Sequence, residues 1–183
     1  HMDGDFACLV RYLYKESKLK KLIIQIKENI QYFSSSDTIH EYISRAFVDS
    51  GDSVLIVSPT YDNFRVVIES AGGQISLFNL DENFSINFDL LHSELNSTKI
   101  KLCYISNPNN PTGGSFDINQ MTNLILSNPN VLFLIDEAYY EFSNTTISKL
   151  ILNTSNLIIT RTFSKAFGLA SFRIGYMLSC ESI

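Results

Sequence analysis

The residues with the greatest chemical capacity stand between Thr160 and Tyr176, in the run Thr-Arg-Thr-Phe-Ser-Lys-Ala-Phe-Gly-Leu-Ala-Ser-Phe-Arg-Ile-Gly-Tyr. The apolar triplet Leu157, Ile158, Ile159 leads into it with the composition of a strand, and Thr160, Thr162, Ser164, Lys165 and Arg173 then fall in a loop. Hydroxyls and an arginine suit a phosphate, through hydrogen bonds and paired charge. Lys165 sits between small residues with Phe163 and Phe167 nearby, and apolar neighbours of that kind can desolvate an amine and make it a nucleophile toward a carbonyl. The same loop also describes an ordinary surface lysine behind a buried strand, and taken alone it leaves both readings open.

Other polar residues stand at the ends of apolar runs. Residues 131–135 are apolar and are followed by Asp136, Glu137, Ala138 and Tyr139. Residues 100–106 run into Asn107-Pro108-Asn109-Asn110-Pro111-Thr112-Gly113-Gly114, where two prolines and two glycines exclude helix and strand and fix a rigid turn. Residues 53–57 end in Ser58-Pro59, with Tyr61 just behind. Ser34, Ser35, Ser36 and Asp37 precede Ile39, Tyr42, Ile43, Ala46 and Phe47 at helical spacing. A helix start offers unpaired N–H groups and the positive end of the dipole to an anion, and a serine-rich one is equally an ordinary N-cap.

Strands are expected at 29–33, 53–57, 74–79, 100–106, 131–135, 157–159 and 173–179, and helices at 16–28, after Ser36, after Thr60, at 89–95 and at 118–126. Such alternation predicts a three-layer α/β domain with a mostly parallel seven-stranded sheet covered on both faces. Ligands of these sheets collect at the carboxyl ends of the strands, which gathers the Ser34–Asp37 turn, Tyr61, Asn110, Asp136, Tyr139 and Lys165 along one edge. No G-x-G-x-x-G, Walker A or G-x-S-x-G motif stands at a strand end, so the usual dinucleotide, nucleotide and hydrolase readings lose their support.

Composition narrows the class further. A chain of 183 residues with a formal net charge of −5 and no dense basic cluster is a poor nucleic-acid binder. Lys15, Lys18, Lys20, Lys21 and Lys27 alternate with Leu19, Leu22, Ile23, Ile26 and Ile30 at helical spacing and read as the wet face of an amphipathic helix. No apolar run has the length of a membrane span and no secretory signal is visible, so a cytoplasmic protein is expected. Cys8, Cys103 and Cys180 are isolated and read as reduced thiols, and His40 and His92 lack partners at ligand spacing, so no metal is expected and both histidines read as structural or surface residues. His1-Met2 reads as the remnant of a tag.

Residues 107–113, the Asp136-Glu137-Ala138-Tyr139 segment, and Ser164-Lys165-Ala166 through Arg173-Ile174-Gly175-Tyr176 together resemble the motifs of fold-type I pyridoxal-phosphate aminotransferases, most closely the histidinol-phosphate aminotransferase group. They keep that family's order and approximate spacing, and the resemblance covers residues 11–179. It implies the large, cofactor-binding domain of the aspartate aminotransferase-like fold over residues 3–183, with the last strand antiparallel and the small C-terminal domain absent. It implies pyridoxal 5′-phosphate as cofactor, an amino donor such as a histidinol phosphate-like compound, a 2-oxo acid as acceptor, and a homodimer.

By the same resemblance Lys165 would hold the cofactor covalently and move the substrate's proton, while Asp136 would face the ring nitrogen and keep it protonated. Asn110 and Tyr139 would donate to the phenolic oxygen, and Tyr61 would stack on the ring. The phosphate would be held by the backbone N–H groups of Ser36 and Asp37, the hydroxyls of Thr162 and Ser164, and Arg173, with Tyr12 reaching the neighbouring subunit's phosphate. The sequence departs from the family at Ser34-Ser35-Ser36-Asp37, where a glycine is usual, and at Ala170-Ser171-Phe172, where Ala-Gly-Leu is common. Two alternatives stay open: a decarboxylase or lyase using the same pocket, and a non-catalytic fragment whose site lies open to water.

Overall fold

The computed structural model describes residues 29–183; the helix expected over 16–28, the N-terminal lysines, Cys8 and Tyr12 lie outside the described residues. The order is β1 (Ile30–Phe33), α1 (Ser36–Phe47), β2 (Ser53–Ser58), α2 (Asn63–Ser70), β3 (Gln74–Asn79), α3 (Phe88–Ser97), β4 (Ile100–Ser106), α4 (Ile118–Ser127), β5 (Leu132–Asp136), a short α5 (Tyr140–Ser143), β6 (Leu157–Thr162) and β7 (Gly175–Ser179). Single 3-10 turns occupy Ser148–Leu152 and Ala170–Phe172. The seven strands form one sheet in the order β1-β7-β6-β5-β4-β2-β3. Only β7 runs against the rest, antiparallel to both β6 and β1, while β2, β3, β4, β5 and β6 pair in parallel. The expected architecture is therefore present, including the reversed last strand.

Strand alternation explains the three layers. In β2, Val54 and Ile56 point to one face, where they join Ile39, Ile43, Phe64 and Ile68 from α1 and α2. Leu55 and Val57 point to the other, where they join Leu91, Leu95, Met121 and Ile125 from α3 and α4. Helix starts follow capping chemistry: the side chains of Ser35, Asn87 and Asp117 accept the backbone N–H groups of Thr38, Leu90 and Gln120, which the helix itself cannot satisfy.

Three expectations about local structure need correction. Tyr42 and Ala46 are not on the inner face of α1: Tyr42 is 58% exposed, with its ring leaning on Phe33 at 5.8 Å, and Ala46 is exposed. The stripe that meets the sheet is Ile39, His40, Ile43 and Ser44, rotated from the expected one toward His40 and Ser44. Thr160 and Thr162 lie not in a loop but in β6, both buried, because pairing with β5 and β7 extends the strand past its apolar triplet. Arg173 precedes β7 rather than opening it, in a left-handed conformation with φ 50° that breaks the strand.

One buried ion pair ties the segment after β5 to the sheet. The Arg161 guanidinium in β6 donates from Nε and Nη2 to Glu137 Oε2 at 2.9 and 2.7 Å, and both side chains are almost wholly buried. The same arginine lies 3.7 Å above the Tyr140 ring, and Glu137 Oε1 accepts the N–H of Ile147 at 2.9 Å. Residues 137–147 are thus pinned from both ends. Hydrogen bonds on every side make such a pair tolerable in the interior, and removal of one partner leaves an uncompensated charge.

Glu141, one turn further, has no such compensation. Both its carboxylate oxygens are buried without a partner in hydrogen-bond geometry, and burial pushes the carboxyl up to about 7, opposed by the nearby dipole of its own backbone N–H and by Arg161. Between about 4.5 and 7 the folded chain holds a proton there that the unfolded chain has released, so stability falls as pH rises through that window. Glu141→Gln is expected to match the wild type at about pH 4 and to exceed it by about 1–2 kcal/mol at about pH 8, allowing for partial screening, in urea unfolding at the two pH values. An equal difference at both would show that the carboxyl titrates normally.

Candidate active site

Strand direction sets the site. β1, β4, β5 and β6 end, and the reversed β7 begins, on one edge of the sheet, so Phe33, Gly175 and Thr162 lie side by side across three strands. A Cβ placed on Gly175 would come within 2.6 Å of the Ser35 carbonyl carbon and the Ser36 nitrogen, and within 3.1 Å of the Arg161 carbonyl oxygen. Only a residue without a side chain lets the first turn of α1 settle against the sheet here. The N-cap hydroxyl of Ser35 serves Thr38, so the N–H groups of Ser36 and Asp37 have no intrahelical acceptor and remain beside β6 and β7.

Around that helix start stand the other anion-binding candidates. Arg173 Nη2 reaches Asp37 Oδ2 at 3.4 Å, and Asp37 Oδ1 accepts from Asn63 Nδ2 at 3.1 Å. Thr162 Oγ1 accepts the Ser164 N–H at 3.1 Å and lies 2.9 Å from Ser164 Oγ, so the buried threonine orients the serine hydroxyl outside it. Ser36, Asp37, Thr162, Ser164 and Arg173 form one neighbourhood, assembled from chain positions more than a hundred residues apart.

Asp136, the last residue of β5, is the buried carboxylate of this edge. Its Oδ1 accepts from the Ala138 N–H at 3.1 Å and Thr160 Oγ1 at 3.3 Å, and its Oδ2 accepts from Tyr104 Oη at 3.0 Å. A carboxylate oxygen has two acceptor positions, so Oδ1 is filled and Oδ2 keeps one. His40 Nε2 stands 3.8 Å from Oδ2, beyond hydrogen-bond reach, and 3.2 Å from Thr160 Oγ1. The side chain is not wholly enclosed, retaining 6% exposure.

Lys165 opens a turn closed by the Gly168 N–H on its carbonyl at 3.0 Å, and its Nζ lies 5.5 Å from the centre of the Tyr139 ring. The expected desolvation by Phe163 and Phe167 is not found: those rings pack on each other at 5.2 Å, Phe163 belongs to the core, and Lys165 is exposed. Tyr61, 42% exposed, lies within electrostatic reach of Asp37, Lys165, Asp136 and Tyr139; burial first, and then Asp37, raises its hydroxyl pKa, with Lys165 opposing. Asn110 and Tyr139 share the wall of a cleft of about 370 Å³ that Pro108, Pro111 and Phe142 also line. The loop behind Asn110 is fastened across the switch between β2 and β4, where Asn109 Nδ2 donates to the Pro59 carbonyl and Thr60 Oγ1 to Asn109 Oδ1, each at 2.9 Å.

Among the described residues, those expected at the site come to one edge; Thr160 sits at the Asp136 carboxylate rather than with the other hydroxyls suited to a phosphate, and three further residues join them, His40, Tyr104 and Gly175. Tyr104 looks like one more apolar strand residue and His40 like a solitary helical histidine, and only the pairing of β4, β5 and β6 reveals their shared target. A fit for a pyridoxal-type group rests on three features: an open acceptor on Asp136, free N–H groups at a helix start beside an arginine, and an exposed amine over a tyrosine ring. Gly175→Ala is expected to push α1 off the sheet, lowering stability by about 1–3 kcal/mol in denaturant unfolding; an unchanged midpoint would show that the helix start has room to shift.

The family model for aminotransferase class I and II matches residues 5–183. A dihydroxyacetone phosphate transaminase from Campylobacter jejuni is 49% identical over 168 residues, covering 91% of this chain and 46% of that protein. A histidinol-phosphate aminotransferase from Clostridium novyi is 36% identical over 174 residues, covering 91% of this chain and 48% of its own length. Among solved structures, the histidinol-phosphate aminotransferase of Sinorhizobium meliloti in complex with pyridoxal-5′-phosphate superposes with a TM-score of 0.79 at 27% identity, over 88% of this chain and 45% of that one. The chain spans about half the length of the curated relatives it matches. The sequence match and the sheet order agree: the chain belongs to the class I and II aminotransferases, a family of enzymes that work with pyridoxal 5′-phosphate.

Proposed function

We propose that residues 3–183 are the cofactor-binding large domain of an aminotransferase that exchanges an amino group between a phosphorylated amino compound and a 2-oxo acid. The observation that carries this reading is the arrangement of Asp136, Lys165 and the start of α1 along one sheet edge, with an acceptor position open on the carboxylate. When bound, pyridoxal 5′-phosphate supplies an electron sink for the substrate carbon that bears the amino group. The protein's own groups bind, orient and move protons around it.

In this reading the N–H groups of Ser36 and Asp37, the hydroxyls of Thr162 and Ser164, and the Arg173 guanidinium hold the phosphate. The open Oδ2 position of Asp136 would receive the ring N–H, Tyr61 would lie against the ring face, and Asn110 and Tyr139 would donate to the phenolic oxygen. Lys165 Nζ would be the covalent anchor and the base that takes the proton from the substrate carbon. Tyr139 is the side chain that steers that amine, since its ring is the aromatic face beside Nζ.

The compounds in the relatives' names support the substrate class. Dihydroxyacetone phosphate and histidinol phosphate both place a phosphate monoester one carbon from the carbonyl or amine carbon, and neither has a carboxylate there. We infer a donor or acceptor of that pattern, a cytoplasmic location suited to charged phosphorylated metabolites, and a homodimer in which a second copy covers the exposed Phe142 at the cleft rim and Phe172 beside Arg173.

Borohydride treatment of the chain mixed with pyridoxal 5′-phosphate should fix the cofactor to Lys165, read by peptide mass spectrometry, and Lys165→Ala should abolish the label. Arg173→Ala should weaken cofactor binding by about 1.5–3 kcal/mol without moving the label. Label spread over other lysines with Lys165 unmodified would overturn the assignment.

A further inference from the structure

The buried histidine of α1 has no place in the chemistry described so far. His40 is 1% exposed, and its ring stands edge-on between Phe64 at 5.3 Å and Tyr104 at 5.8 Å. Among the described residues its one polar contact within hydrogen-bond distance is Nε2 to Thr160 Oγ1 at 3.2 Å, and its Nδ1 is buried without a partner. Thr160 Oγ1 in turn lies 3.3 Å from Asp136 Oδ1.

The protons on this chain can be assigned. A hydroxyl has one hydrogen, and a carboxylate can only accept, so Thr160 spends its hydrogen on Asp136 and must accept from its other neighbour. That neighbour is His40, which therefore carries its proton on Nε2 and leaves Nδ1 bare. A bare ring nitrogen is the less costly group to leave unpaired among aromatic rings, compared with an N–H or an imidazolium. Burial, partly opposed by the charges of Asp136 and Asp37, lowers the pKa of His40, which agrees with a neutral ring.

We propose that His40 is a positioning residue for the cofactor's ring nitrogen: by donating to Thr160 it turns the threonine hydroxyl onto Asp136 Oδ1, which fixes the carboxylate plane and holds the open acceptor position of Oδ2 toward the ring. Tyr104 sets the other oxygen, so the carboxylate is clamped by one hydroxyl on each side. Without His40, the Thr160 hydroxyl is free to turn toward other acceptors and the carboxylate loses one of its two orienting hydroxyls. The inference rests on the pyridoxal-phosphate reading, and it concerns the ring nitrogen alone.

The test compares binding of pyridoxal 5′-phosphate with binding of the analogue in which the ring nitrogen is replaced by carbon, using the 183-residue chain. Wild type should prefer the natural cofactor. His40→Phe, which keeps the ring but not the donor, and Thr160→Val should each cut that preference about threefold to tenfold while leaving the analogue's affinity unchanged, and His40→Gln, which restores a donor, should recover it. Equal loss for both ligands, or no loss, would overturn the proposal. Nitrogen-15 NMR of the wild type reads the histidine directly, independent of any variant's folding: Nε2 protonated and Nδ1 bare is expected, and the opposite tautomer overturns the proposal. Wild-type protein that binds neither ligand would overturn the cofactor reading itself, and the positioning role with it.

Discussion

The approach of α1 to the reversed strand β7 is the constraint on which the site depends. Gly175 begins that strand with no room for a side chain, the Ser35–Ser36 backbone lies against it, and Thr162 pairs with it in the neighbouring strand. That contact brings together a helix start from the first third of the described chain, a strand end, and Arg173 two residues upstream. Because α1 is anchored there, its inner face also lies over the sheet where β5 and β6 end, which takes His40 to Thr160 and to the neighbourhood of Asp136. A single backbone contact thereby couples the proposed phosphate end of the site to its proposed ring-nitrogen end.

Buried charge is handled in two different ways within two residues. Glu137 is neutralised by Arg161 and saturated by Thr146 and Ile147, so it can act only as a structural tie. Asp136 has donors on both oxygens but no cation in hydrogen-bond contact, and one acceptor position left over. An interior carboxylate without a cationic partner is costly, and a protonated ring nitrogen would supply what is lacking. This difference between neighbouring acids separates the one that holds the fold from the one available for chemistry.

Much of this was legible in the sequence, for physical reasons that also explain the remainder. Strands such as Ile100–Ser106 and Leu132–Asp136 announce themselves as short apolar runs, and prolines and glycines mark where 107–114 must turn. The reach of β6 through Thr160, Arg161 and Thr162 was not legible, because polar residues enter a strand when neighbours on both sides supply its hydrogen bonds and its side chains find buried partners. His40 was hidden for the same reason: one histidine in a helix has no local signal, and its partner lies 120 positions away. Phe163 and Phe167 misled in the opposite sense, since their spacing around Lys165 suggests shelter for an amine, whereas the turn at Lys165 sends those rings together and leaves the lysine exposed.

The most direct measurement is a crystal structure of the chain soaked with pyridoxal 5′-phosphate. The account predicts the phosphate against the Ser36 and Asp37 N–H groups with Arg173 turned from Asp37 toward it, the ring nitrogen on Asp136 Oδ2, and continuous density to Lys165. A cofactor phosphate seated away from the start of α1, or a ring nitrogen that faces anything other than Asp136, would contradict it.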